Sequence, residues 1–298
     1  MSETLRDRVT AVLESIADMS SLSLATLLTA ILLLVSPGPA HEWTLTLPIS
    51  VLVILSLIVP CLRTSARFWG VASLLLIAYH CVYNYYLSDN HKFVISGWCL
   101  AITIALCTPN PAHSLAWLGR VMVGLVFGLA VVWKATSLDY MSGHSFEFLL
   151  VTDPRFFALA NLLGGLSAET YHANQAAVEQ VRTLTGSIPI AGTEAASPLA
   201  LFLTWWTIIL ETIIAALFLY DRSEKVRQWR HWILLGFIIT TYPPTNVIQF
   251  GWILIAMAVA SCPESYRRER VLYALSFLFI LAFSTGNLRE AFLRAGGL

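Results

Sequence analysis

Residues 199–220 read LALFLTWWTIILETIIAALFLY, and the fold class follows from them. A helix needs roughly 20 apolar residues to cross a bilayer, and this run supplies them with a single charge, Glu211, near its middle. The surrounding chain of 298 residues is 57% apolar and 12% charged. Soluble domains average about 45–50% apolar and about 25% charged, so the composition excludes the soluble classes and predicts an all-α, polytopic transmembrane helical bundle. The 18 basic and 18 acidic residues balance, leaving no positive excess to hold a nucleic acid. Cys61, Cys81, Cys99, Cys107 and Cys262 fall in or beside apolar runs, with neither a CxxC pair nor zinc-like spacing, and read as small packing residues.

Similar runs recur near Leu22–Val35, Leu45–Leu62, Phe68–Leu87, Phe93–Leu106, Leu115–Trp133, Trp232–Tyr242, Val247–Ala260 and Val271–Phe283, which predicts about nine spans, within a range of seven to nine. The run Trp232–Tyr242 is cut short by Pro243-Pro244 and fits a re-entrant or tilted segment. Lys and Arg concentrate on cytoplasmic loops. A cytoplasmic N-terminus puts Arg6, Arg8, Arg63, Arg67, Arg222, Lys225, Arg227, Arg230, Arg267, Arg268 and Arg270 inside, eleven of the eighteen basic residues. Residues 1–20 then form an amphipathic surface helix; acidic Glu3, Glu14 and Asp18 argue against reading the N-terminal region as a cleaved signal peptide. Residues 21–298 form one bundle, with an extracytoplasmic lid at 135–198. The expected location is integral to the membrane, multi-pass, and in a bacterium the inner (cytoplasmic) membrane.

A charge at the centre of a span costs roughly 2.5–3.5 kcal/mol on insertion scales, so each one needs a partner or a task. Glu211 fits either a helix-packing hydrogen bond or a proton-handling, ligand-orienting group. Arg120 snorkels, pairs with Glu211 or binds a lipid head group. Lys134 after Trp133 reads either as an interfacial anchor or as an amine desolvated in an apolar pocket and able to act as a base. On the expected outer side stand His80 and Asn84, one helical turn apart, then His91, then Asp139 and Tyr140, then Asn246 and Gln249 after the proline pair. His80, His91, His144 and Glu147 are too scattered to assign a metal site.

In this order the residues resemble the membrane domain of vitamin K-dependent gamma-carboxylase and its relatives, the horizontally transferred transmembrane (HTTM) family. Asn90-His91-Lys92-Phe93-Val94 looks like the family's Asn-His segment, Gly124–Gly143 like its Gly/Phe-rich span ending in lysine and an Asp-Trp-like pair, and Tyr242–Gly251 like its asparagine-bearing late turn. Glu211 matches an acidic residue in a later span. The resemblance implies a lysine that deprotonates a reduced quinone and a histidine that assists, roles which fall by position to Lys134 and His91. Lys134 stands one residue farther from Asp139-Tyr140 than the family pattern has it, so an ungapped alignment puts Ala135 in the catalytic slot. No segment here exceeds the stretch 135–198, too little to match the carboxylase's large extramembrane region, and true gamma-carboxylation of a protein is not expected.

Three functions follow as expectations. The first is a membrane enzyme acting at the outer face on a quinol-like or other lipophilic substrate, with Lys134 as base, His91 as second proton carrier, and His80, Asn84, Asp139, Tyr140, Glu211, Asn246 and Gln249 around the ligand. Its cofactor would be a quinone or hydroquinone. The second is a non-catalytic partner or maturation factor for another protein. The third is a small-solute transporter, for which no internal repeat speaks. Nucleotide-loop, serine-elbow and HExxH motifs are absent from the sequence.

Overall fold

The computed structural model describes residues 3–35, 43–83, 85–181, 189–245 and 247–284. Among these residues the chain is all-helical, with no strand. The helices are α1 (Glu3–Asp18), α2 (Ser21–Val35), α3 (Trp43–Ile58), α4 (Ala66–Ile77, prolonged by a π-helical turn over Ala78–Tyr83), α5 (Asn90–Leu106), α6 (Pro111–Thr136), α7 (Leu138–Met141), α8 (His144–Thr152), α9 (Phe157–Gly164), α10 (Ala168–Val181), α11 (Ala196–Leu219), α12 (Glu224–Thr245), α13 (Ile248–Ala260) and α14 (Arg267–Ser284). Each of the nine apolar runs lies largely within a helix. Residues Ala66–Tyr83, Pro111–Thr136 and Ala196–Leu219 are long and apolar enough to cross a membrane, and a fourth span results if α1 and α2, bent by 113°, are taken together.

Local chemistry sets several of the boundaries. Pro111 opens α6, where its missing N–H costs nothing, and the Asn110 side chain accepts from the His113 N–H. Ser65 caps α4 by accepting from the Phe68 N–H. Between α7 and α8 the chain reverses at Gly143, whose φ of 86° is left-handed. A Cβ there would also lie 3.2 Å from the Leu201 backbone of α11, so glycine permits both the turn and the approach.

One expectation needs correction. The short seventh run is part of α12, 22 residues long, which begins at Glu224 and includes both prolines in its last turn. Proline's fixed φ suits a helix, and so near the end few carbonyls lose a donor. Hydropathy misses the first half because Glu224, Lys225, Arg227 and Arg230 interrupt it.

The core centres on α13, in which Gly251–Ala260 are all buried. Helices α2, α5, α6, α12 and α14 pack around it, and α11 lies along α6 in the most extensive helix contact of the fold. Side chains such as Ile54, Leu74, Ile104, Leu129, Phe202, Trp206 and Ile209 remain exposed on the outside, forming the apolar coat expected of a lipid-facing surface. At one end the α1–α2 junction meets the α13–α14 turn: the Ser21 N–H and hydroxyl donate to Glu264 Oε1 at 2.9 Å and Cys262 O at 2.7 Å. Arg270 donates to Ala17 O at 3.0 Å. Toward the other end, α7–α10 fold on α11 around a smaller core containing Leu150, Phe156, Phe157, Leu166 and Tyr171. The stretch 135–198 is thus largely helical and packed, where it is described.

Gly119 of α6 meets α13 so closely that a Cβ would fall 2.5 Å from Met257 O, a backbone atom, whereas at Gly128 the nearest atom is 3.9 Å away. Gly119→Ala should therefore destabilise the folded bundle by about 1–3 kcal/mol, and Gly128→Ala should be neutral or mildly stabilising. Thermal unfolding in detergent, followed by tryptophan fluorescence, tests the contrast; equal melting temperatures for the two variants would refute the close α6–α13 approach.

Candidate functional site

The last turn of α6 splits two adjacent residues. Successive helical side chains point about 100° apart, so the Trp133 side chain faces outward at 65% exposure while Lys134 turns inward. The Lys134 ammonium lies 2.5 Å from Glu211 Oε1, with the two side chains 13% and 10% exposed. Tyr140, carried in by the short α7, places its ring 5.2 Å from the ammonium. The Tyr140 hydroxyl lies 3.1 Å from Thr207 Oγ1 on α11. Burial raises the Tyr140 phenol above its ordinary value against the opposing pull of Lys134, so it meets the pair as a neutral group.

Two buried atoms in this layer have no hydrogen-bond partner among the described residues, Glu211 Oε2 and Thr204 Oγ1. Thr204, Thr207 and Glu211 share one face of α11 by their spacing of three and four residues. A carboxylate has about four lone-pair sites, and here one oxygen is committed to Lys134 while the other is open. Beside Tyr140 on α7, Asp139 lines a recess of about 440 Å³ with His144, Ser145, Phe148 and Leu149. The arrangement can hold an ion pair with a spare acceptor.

His91 belongs to a second cluster. At the start of α5 its Nε2 lies 2.6 Å from Gln249 Oε1 at the start of α13. His80, buried in the π-helical turn, lies 3.2 Å through Nδ1 from Lys92 O and 3.1 Å from Ser96 Oγ. No hydrogen bond, ion pair or ring contact among the described residues joins this cluster to Lys134 and Glu211. Asn84 and Asn246 lie outside the described residues. His144 bonds to Ser142 at 3.0 Å and Glu147 to Ser197 at 2.5 Å, each apart from the other histidines.

Of the sequence-derived candidates, Lys134, Tyr140 and Glu211 therefore meet, Asp139 borders them, and His91 with Gln249 and His80 form a separate set. The Arg120–Glu211 pairing considered above does not occur: Arg120 donates to Phe218 O at 3.0 Å and lies 3.6 Å from Asp221. Arg120 lies 14 residues before Lys134 on α6, about 21 Å of helix, and of these two basic residues Lys134 is the one at the Glu211 level. Thr204 and Thr207 escaped notice in the sequence, although their spacing from Glu211 carried the signal.

Breaking a buried ion pair by removing one partner costs about 3–5 kcal/mol, whereas replacing both by apolar groups is often neutral. Lys134→Met and Glu211→Leu alone should each destabilise the bundle strongly, and the double variant should recover most of the loss. Denaturation of the four proteins in mixed micelles gives the coupling; additive losses would show that the two side chains do not interact.

Compared with protein-family models, with curated proteins and with solved structures, the chain gives no match.

Proposed function

We propose that this chain is a multi-pass integral membrane protein, with nine helices through the bilayer and its arginine-rich end cytoplasmic, whose outer half removes a proton from a lipophilic hydroxyl substrate of the quinol class. The observation that carries this reading is Glu211 Oε2, without a hydrogen-bond partner among the described residues, in a buried pair with Lys134. A substrate O–H entering past Tyr140 would give its proton to Oε2, and the oxyanion left behind would face the Lys134 ammonium, where charge is stabilised more strongly than in water. The sequence resemblance supports a quinol as substrate and assigns the base to Lys134. The pairing with Glu211 favours the carboxylate as acceptor and the lysine as counter-cation. Topology is supported by the gathering of Arg120, Arg227 and Arg230 around Asp221 before α12, and of Arg270 on the turn before α14.

Two variants separate the assignments. A positioned general base contributes about 10²–10⁴-fold, so Glu211→Gln should abolish formation of the quinolate anion, read by its absorbance on protein in nanodiscs. Lys134→Arg keeps a cation and should retain most of that signal, while Lys134→Ala loses it; loss in Lys134→Arg as well would return the base to the amine, because guanidinium stays protonated. A normal signal in Glu211→Gln refutes the proposal.

A second reading has its own observation. The pair bridges α6 and α11, the most extensive helix contact of the fold, so it also fits a structural clamp in a non-catalytic partner protein. Full cellular function in the Lys134→Met/Glu211→Leu double variant would establish that reading.

Orientation is tested by single cysteines. Ala112→Cys should react with a membrane-impermeant maleimide only after the cells are opened, and Glu194→Cys should react in intact cells. The reverse pattern would invert the topology and remove the outer site.

A further inference from the structure

The arginine-rich end of the bundle holds a recess of about 240 Å³ between α6, the α11–α12 turn, α12 and the turn after α13. Arg120, Arg227 and Arg230 line it with a single carboxylate, Asp221. All three guanidinium groups converge on that one acid: Arg230 Nη1 at 3.1 Å, Arg120 Nε at 3.6 Å and Arg227 Nε at 3.7 Å. Glu224 lies 3.4 Å from Arg227 Nη1, is largely exposed, and already accepts from the Tyr266 hydroxyl. The lining itself therefore keeps two positive charges more than it neutralises.

Arg230 is 3% exposed, and its guanidinium is held 5.6 Å from the Phe218 ring centre. The Nε atoms of both Arg227 and Arg230 are buried without a hydrogen-bond partner among the described residues. A buried guanidinium with an open donor is costly, and the ligand that repays the cost best is a multidentate anion. Guanidinium forks match phosphate oxygens in geometry as well as charge. The recess holds roughly eight water volumes, enough for a phosphate group and the glycerol that carries it. Trp117, also in the lining, is 52% exposed, an aromatic of the kind enriched where lipid head groups meet the hydrocarbon.

We infer that this recess binds a phosphate group, delivered either as the head group of an anionic phospholipid of the adjoining leaflet or as free phosphate. Basic pockets between helices at a cytoplasmic face are suited to such head groups. The site is independent of the Lys134–Glu211 pair, at the other end of α6.

The test uses the full chain purified in a neutral detergent and depleted of lipid. Phosphatidylglycerol, diacylglycerol with the same acyl chains, and millimolar inorganic phosphate are the probes, with melting temperature and native mass spectrometry as readouts. Phosphatidylglycerol should raise the melting temperature and add one retained lipid, and diacylglycerol should do neither. Arg227→Gln, chosen because that side chain is partly exposed and its loss spares the fold, should weaken lipid retention about fivefold, as expected for one basic residue at a membrane surface. Arg227→Lys, which keeps the charge but loses the fork, should fall between the two. Inorganic phosphate that stabilises equally and displaces the lipid supports the site with free phosphate as its source; phosphate without effect supports the site with the lipid as its source. Trp117→Ala should weaken the lipid and leave free phosphate untouched. Equal stabilisation by phosphatidylglycerol and diacylglycerol, or unchanged retention in a folded Arg227→Gln protein, overturns the inference.

Discussion

A helix that is apolar on every face has no side to give to water and must be covered by lipid or enclosed by other helices. Helix α13 is such an element, with ten consecutive buried residues from Gly251 to Ala260, and the rest of the bundle is arranged to satisfy it. At 13 residues it is about 20 Å long, shorter than the roughly 20 residues that a helix crossing a bilayer needs. Its neighbours supply the lipid-facing surface instead, which is why exposed leucine, isoleucine and tryptophan side chains cover the periphery. Gly119 is the contact that lets α6 come close enough to complete the enclosure.

This arrangement sorts the polar groups onto two different seams. His91 and Gln249 join α5 to the start of the axial helix, while Lys134 and Glu211 join α6 to α11, which stands outside α6. The α6–α11 seam carries opposite charges toward both of its ends, Lys134 with Glu211 at one and Arg120 with Asp221 at the other. Fourteen residues separate the two basic positions on α6, about 21 Å of helix. Sliding one helix past the other by a turn would break both pairs at once, so the electrostatics fix a register that apolar packing alone would leave loose.

The sequence made the helical class legible, along with the residues whose burial is expensive. Lys134 and Glu211 stood out because a charge inside an apolar run is rare for a physical reason. Their partnership did not, since which helix lies beside which is decided by packing, and a run that is apolar all round carries no periodicity from which to read its neighbours. Arg120 was the partner the sequence offered for Glu211, and setting the helices side by side gave that place to Lys134. The full length of α12 was hidden by its charged first half and by the assumption that two prolines end a helix, which does not hold in a last turn. The Arg120–Asp221–Arg230 cluster escaped for a related reason: its members come from three elements, and Arg120 alone, read as a charge inside a span, points to neither Asp221 nor Arg230.

The junction of α1 and α2 is tied to the α13–α14 turn and to the first turn of α14 through residues separated by 241 to 253 positions, among them Ser21 with Cys262 and Ala17 with Arg270. Those contacts have an order in time. A ribosome makes α2 long before α14 exists, at roughly 5–20 residues per second, so for many seconds the first helices stand with their Ser21 donors and Ala17 carbonyl unclaimed. The early part of the bundle must hold together on α2, α3 and the α4–α5 pair alone. Closure around the axial helix is then a late event, completed when the last described helix arrives, and an interruption of synthesis just short of it leaves an open bundle exposed to the cell's quality control.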